Sequence, residues 1–354
     1  MNERPQGGGM AVNVPVCVTD ARDIRERGEE LQRAWCESVL QDDGPPDDTA
    51  AFRRWFEGYQ DQRRAFVLAG WAEAVSPDIR RRARLVALGS LARGEDLPQS
   101  DLDFALVTAA DLRLADAAPD LERFVRWMGP MGFSPCMGNV MGGNPRWFGP
   151  EDAWKARIQA YAEFPDWANV RYLYMTVDAR PLDDAPQWAS VAARVRDVIA
   201  GSAFMKWQMA HLGIRGTVGF GALRGVRWEA SGSGAIFHVK DRFLAPMIHA
   251  LRLLSLHYGV DALGSVDRAA SLGRLGALEG LQADAIVRAL WFGWRLRARH
   301  HAECWLRGQR DGVDLVPRSS LSRAWQEALQ EHLRTAQALE RLVCRQFPKP
   351  RGSR

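Results

Sequence analysis

Cysteine is sparse and scattered in this chain. Five stand among 354 residues, at Cys17, Cys36, Cys136, Cys304 and Cys344, and no two form a C-x-x-C pair. That spacing argues against a zinc knuckle or a disulfide framework and suits a reducing, cytoplasmic setting. Long hydrophobic runs are missing as well. None reaches the roughly 18 residues of a membrane span, so no membrane association is expected. The first ten residues are polar and Gly-rich, without the apolar centre of a secretory leader. Charge of one sign is also lacking. The net charge is +4, and this modest excess does not by itself make nucleic acid an expected partner.

What the chain does have is one concentrated stretch, LVALGSLARGEDLPQSDLDFALV, from Leu85 to Val107. Leu85 to Leu88 read as a buried strand that Gly89-Ser90 interrupts. Asp101 to Val107 read as a second strand with acid at alternate positions. Side chains alternate across a strand, so Asp101 and Asp103 share a face, their Cα atoms about 7 Å apart. Two neighbouring carboxylates repel each other, and a divalent cation between them removes the conflict. A glycine after a strand lets backbone approach a ligand closely. Ser90 offers a hydroxyl to a phosphate, and Arg93 a fork of donors matched to phosphate oxygens. Phosphate donors beside paired metal carboxylates are the parts that phosphoryl or nucleotidyl transfer uses.

The GSLARGE…SDLD pattern resembles the nucleotidyltransferase superfamily that includes DNA polymerase beta, whose signature is a Gly-Ser turn followed about ten residues later by Asp-x-Asp on a strand. A second, narrower resemblance covers Cys136-Met137-Gly138, Val140-Met141, Asn144-Pro145-Arg146-Trp147 and Val177-Asp178-Ala179-Arg180-Pro181. These runs look like the bacterial DUF294-type nucleotidyltransferases, relatives of the uridylyl- and adenylyltransferases that modify nitrogen-regulation proteins. The resemblance spans roughly residues 80–305. It departs from the usual pattern at Ala92, where members often have Gly, and at Gly142-Gly143, where Ala-Ser is usual. It implies a catalytic Gly-Ser and Asp-x-Asp, a helical C-terminal substrate-binding domain, and nucleotide-binding roles for Ser100 and for Lys240 beside the cleft. Cyclic-nucleotide-binding and CBS domains precede the motif in many members. About 80 residues precede it here, so regulation by adenosine ligands does not transfer.

The expected fold class is α+β: a short mixed sheet with flanking helices, followed by a helical bundle. Residues 1–19 read as a flexible N-terminus and 20–80 as a helical lead-in, with caps at Asp20 and Thr49 and an aromatic face of Phe52, Trp55, Phe56 and Tyr59. Residues 81–183 form the expected catalytic domain. Within it 121–128 is helical, the Gly-rich 133–147 is a loop over the site, and helix resumes at Pro150. Arg171 to Val177 read as a strand that ends at Asp178. An acid there suits a third carboxylate, as a metal ligand or as the base near the attacking hydroxyl. Residues 184–347 form the helical substrate-binding domain, with a hairpin or loop at 213–234. Its last helices carry Arg295, Arg297 and Arg299 largely outward. His300-His301 suit solvation or packing better than metal, because adjacent helical residues diverge by about 100°. Residues 348–354 are a basic tail.

The activity these readings support is transfer of a nucleoside monophosphate from an NTP, ATP among the candidates, to a hydroxyl. Two Mg2+ ions would be held by Asp101, Asp103 and Asp178. The triphosphate would lie against Gly89, Ser90, Arg93, Ser100 and Lys240. The acceptor stays open between a protein side chain and a small-molecule hydroxyl, since the motif also resembles aminoglycoside nucleotidyltransferases. An RNA-modifying toxin-type enzyme and a non-catalytic nucleotide-binding module are the remaining alternatives.

Overall fold

The computed structural model describes residues 21–221, 225–232, 234–278 and 282–350. The expected flexible N-terminus, the Asp20 cap and the end of the basic tail lie outside them. Helices α1 (Ala21–Leu40), α2 (Ala50–Ala74) and α3 (Pro77–Arg82) form the lead-in. Between the first two, Gly44-Pro45-Pro46 stops helix growth. Phe52, Trp55, Phe56 and Tyr59 recur at three- and four-residue spacing, and all are buried. Thr49 precedes α2 without capping it; its hydroxyl accepts from Arg53 Nε at 3.1 Å instead. Ser76 does cap α3, accepting from the Ile79 amide, with Pro77 at the first helical position.

Next come β1 (Ala83–Ala87), α4 (Gly89–Arg93), β2 (Asp101–Leu102), β3 (Phe104–Thr108) and α5 (Leu114–Met128). Strands β4 (Ser134–Pro135) and β5 (Phe148–Gly149) follow, then α6 (Glu151–Glu163), α7 (Trp167–Val177) and β6 (Arg180–Pro181). The four-stranded sheet runs β5-β3-β1-β6, with β3 and β6 antiparallel to β1 and β5 parallel to β3. Alternation along β1 and β3 divides the core. Leu85, Ala87, Phe104 and Leu106 meet Trp71 and Phe124 of α2 and α5. Val86, Leu88, Ala105 and Val107 join the core built by Trp147, Trp154 and the C-terminal helices.

Two expectations in this half are corrected. The strand expected over Asp101–Val107 breaks at Asp103: β2 pairs with β4, while β3 pairs with β1. Residues 171–177 are helical. Asp166 caps α7 by accepting from the Asn169 amide at 2.8 Å. Val170, Leu173, Tyr174 and Val177 are buried at the i, i+3, i+4, i+7 spacing of a helix face. The loop over 133–147 is present, yet its Val140 and Trp147 are buried in the core.

The C-terminal half is α8 (Gln187–Gly201), α9 (Ala203–Gln208) with a π-helical turn at Met209–Ile214, and the hairpin strands β7 (Phe220–Gly221) and β8 (Gly225–Val226). After β9 (Glu229–Ser231) and β10 (Gly234–His238), a π turn at Lys240–Leu244 leads into α10 (Ala245–Tyr258). Then come α11 (Ser265–Arg274), α12 (Ala283–Leu306), β11 (Leu315–Pro317) and α13 (Arg323–Gln346). β9, β10 and β11 form a small antiparallel sheet. The fold is therefore α+β, with a short mixed sheet and a helical C-terminal region.

The outward placement expected for Arg295 and Arg297 is also corrected. Arg295 is fully buried and gathers the carbonyls of Pro45, Pro46, Asp48 and Gly44, together with the Asp42 carboxylate at 2.9 Å. Arg297 is buried against Asp314 at 2.6 Å. Burial is tolerated because each guanidinium is paired. His300 and His301 are buried too, and His301 bridges the Pro98 carbonyl and Asp314.

Candidate active site

The chain turns at Gly89 with φ +58°, a conformation that a side chain strains. A Cβ there would also lie 2.4 Å from Asp103 Oδ2. Glycine is thus required twice, for the turn and for its close approach to the carboxylate. Backbone pairing holds the approach, with the Leu88 amide donating to the Asp103 carbonyl at 3.0 Å. Gly89, Ser90, Arg93, Ser100, Asp101, Asp103 and Lys240 all line one cleft of about 530 Å³. Both acids open on the same cleft although the strand breaks at Asp103.

Ser90, Ser100 and Lys240 each have a partner within the protein. Ser90 Oγ donates to Asp96 at 3.3 Å, and Asp96 is locked by the buried Arg63 at 2.5 Å. Ser100 Oγ accepts from the Leu97 amide at 3.0 Å. Lys240, arriving from the C-terminal half, places its ammonium 3.3 Å from Asp101 Oδ2. Burial pushes the Asp103 carboxyl above its ordinary range; the Cys136 thiol beside it pulls the other way, and the Asp101 charge adds to the rise. Asp103 Oδ1 is buried with no hydrogen-bond partner.

These features suit a divalent cation. A buried carboxylate oxygen without a donor is costly, and a cation satisfies it. Among the described residues no three His, Cys, Asp or Glu side chains group as metal ligands. Two carboxylates match Mg2+, which characteristically takes its remaining ligands from phosphate oxygens and water.

Asp178 stands elsewhere. It caps α7, is fully buried, and does not line the cleft. Its Oδ2 accepts from Arg93 Nη1 at 3.0 Å and Arg252 Nε at 2.8 Å, and its Oδ1 from Arg268 Nη2 at 2.7 Å. Burial opposes the charge, but the Arg252, Arg268 and Arg93 guanidiniums outweigh it and hold the carboxyl far below the usual range. The structure brings Asp178 to three arginines rather than to Asp101 and Asp103. Arg93 and Arg252 both reach the cleft from this cluster, and Glu95 steadies Arg93 at 2.7 Å.

Several residues of the cleft and its support carry no signal in the local sequence. Arg252, which lines the cleft, and Arg268, which lies behind it, reach Asp178 across 74 and 90 residues. Trp167, Arg171, Tyr174 and Met175 line the cleft from α7, a surface invisible to a strand reading. His249 also lines it, and burial together with the Arg252 and Arg93 charges pushes its pKa down to about 3, so the ring is neutral. The helical period of 170–177, read from Val170 onward, was the signal that could have found the α7 face.

An α+β fold with a short mixed sheet and a helical C-terminal region is what two family models match. Residues 49–167 match the family model described as "Putative nucleotidyltransferase DUF294". Residues 203–347 match its companion, "Putative nucleotidyltransferase substrate binding domain", DUF294_C. The chain belongs to the DUF294 family. No curated protein matches it.

Proposed function

We propose that this protein is a Mg2+-dependent nucleotidyltransferase that moves a nucleoside monophosphate from an NTP to a hydroxyl acceptor. The observation that carries the reading is the Gly89 turn pressed against Asp103, with Asp101, Ser90, Arg93 and Lys240 on the same cleft. Asp101 and Asp103 would hold the metal, which when bound offsets phosphate charge and polarises the reacting phosphoryl group. Ser100, whose hydroxyl only accepts here, presents a donor to phosphate oxygens, and Ser90 does so once its proton turns from Asp96. Arg93 and Arg252 supply planar forks of donors, aimed by Asp178. Lys240 pairs with Asp101 here and is positioned to give its charge to the triphosphate instead. Asp178 contributes by orienting arginines, in place of the metal or base role its position in the chain suggested.

The test is Asp103→Asn. With Mg2+ and radiolabelled NTPs, wild-type protein transfers label or releases pyrophosphate, and the variant falls at least about a hundredfold, in line with loss of a group that stabilises developing charge. Equal turnover by the two proteins removes the metal role.

A further inference from the structure

Five basic residues among those described line the cleft as arginine or lysine, and four are already paired. Arg93 binds Asp178 and Glu95, Arg252 binds Asp178, Arg297 binds Asp314, and Lys240 binds Asp101. Arg171 differs. It is exposed, it lines the cleft, and it makes no hydrogen bond or ion pair among the described residues. Its neighbours are of another kind as well. Trp167 lies one helical turn before it on α7, and Met175 one turn after. The same cleft is also lined by Met209, Leu212 and Ile248. Gly213 lets the Trp167 ring settle here, because a Cβ at Gly213 would sit 2.7 Å from the ring edge. Leu212 stays half exposed although it is a large apolar side chain.

From this we infer that the α7 wall of the cleft is a subsite for a hydroxylated aromatic acid, with Arg171 binding its anionic group. The inference rests on the transferase reading, whose acceptor it specifies. The four paired basic residues gather at Asp101, Asp178 and Asp314, and Arg171 belongs to none of these groups; a nucleoside base carries no charge for it to answer. A planar guanidinium presents a donor fork suited to a carboxylate or phosphate. Tryptophan edges and methionine sulfur make favourable contacts with an aromatic ring. An acceptor with an apolar ring, a hydroxyl directed towards the phosphates and an anion directed towards Arg171 satisfies both ends. A free hydroxyaryl acid and a tyrosine flanked by acidic residues present this same chemistry.

The experiment uses full-length protein saturated with Mg2+ and a non-hydrolysable NTP analogue. Binding of 4-hydroxyphenylacetate and of its uncharged amide is measured by calorimetry or ligand-observed NMR, for wild type and for Arg171→Ala. A short peptide with tyrosine between glutamates, and its glutamine counterpart, run alongside to separate the free acid from the peptide source. In at least one pair the charged member binds wild type about tenfold or more tightly than the neutral one, the worth of a charge-assisted hydrogen bond. Arg171→Ala abolishes that preference and leaves affinity for the NTP analogue within about twofold, the scale of an unaffected site. The subsite is refuted if charged and neutral members bind alike, if none binds, if the preference survives in Arg171→Ala, or if the variant loses nucleotide affinity. Failure of the NTP analogue to bind wild type refutes the transferase reading instead, and is read before any acceptor is added.

Discussion

Replacing Asp178 with asparagine separates two roles that the same residue could play. In the structure the carboxylate is the single anion shared by Arg93, Arg252 and Arg268, and none of these side chains is more than 8% exposed. Asparagine keeps the shape and removes the charge, leaving three guanidiniums around a neutral amide, with Glu95 the nearest remaining counter-charge through Arg93. Breaking a buried ion pair by removing one partner costs about 3–5 kcal/mol. Sharing among three arginines places this variant towards the upper end. Urea unfolding followed by far-UV circular dichroism at pH 7 measures the loss directly. The sign of its pH dependence follows from the depressed carboxyl. The contribution of Asp178 is fully present above the ordinary carboxylate range near pH 4 and fades as the pH falls through the lowered value. Wild type and Asp178→Asn should therefore differ most at neutral pH and converge in strong acid. A stability loss below about 1 kcal/mol, with activity abolished, would refute the positioning role and restore a direct part in the chemistry.

Other perturbations test separate parts of the same account. Gly89→Ala should cost about 1–2 kcal/mol from its left-handed backbone. It should also lower NTP turnover disproportionately, because the new methyl displaces Asp103; thermal melts and turnover assays read the two effects. Lys240→Met should leave the melting temperature nearly unchanged, since a half-exposed pair contributes about 1 kcal/mol at most, while weakening NTP binding about tenfold, as expected for one charge-assisted contact. Arg295→Ala should destabilise by about 3 kcal/mol or more, because several loop carbonyls lose their donor at once; denaturant titration checks it.

The strand, turn and paired acids around Gly89 were legible because their chemistry is local. A Gly-Ser break and an i, i+2 acid pair need no distant partner to be read. Even so, the break at Asp103 has no local mark, since apolar residues continue on both sides and only the switch of partner from β4 to β1 reveals it. Residues 171–177 are ambiguous for a physical reason: seven residues of mixed apolar and polar character satisfy either period. The helix declares itself through the Asp166 cap and through Val170, which both lie before that window. Arg295 and Asp178 illustrate the larger obstacle. Nothing near Arg295 in the chain announces carbonyls some 250 residues away, and nothing near Asp178 announces α10 and α11. Charged residues on a helix are ordinarily placed in water until their partners are known.

The arginine on α12 that grips the Asp42–Asp48 loop has a practical consequence for dissecting the molecule. A version of the chain trimmed to begin at the sheet would strand a guanidinium in the middle of the bundle and uncover Trp291 and Trp294, which pack on Phe56. The front of the polypeptide is thus a keystone for its far end. Exchanging either half with that of a relative would transplant a socket without its plug unless the opening helices travel along.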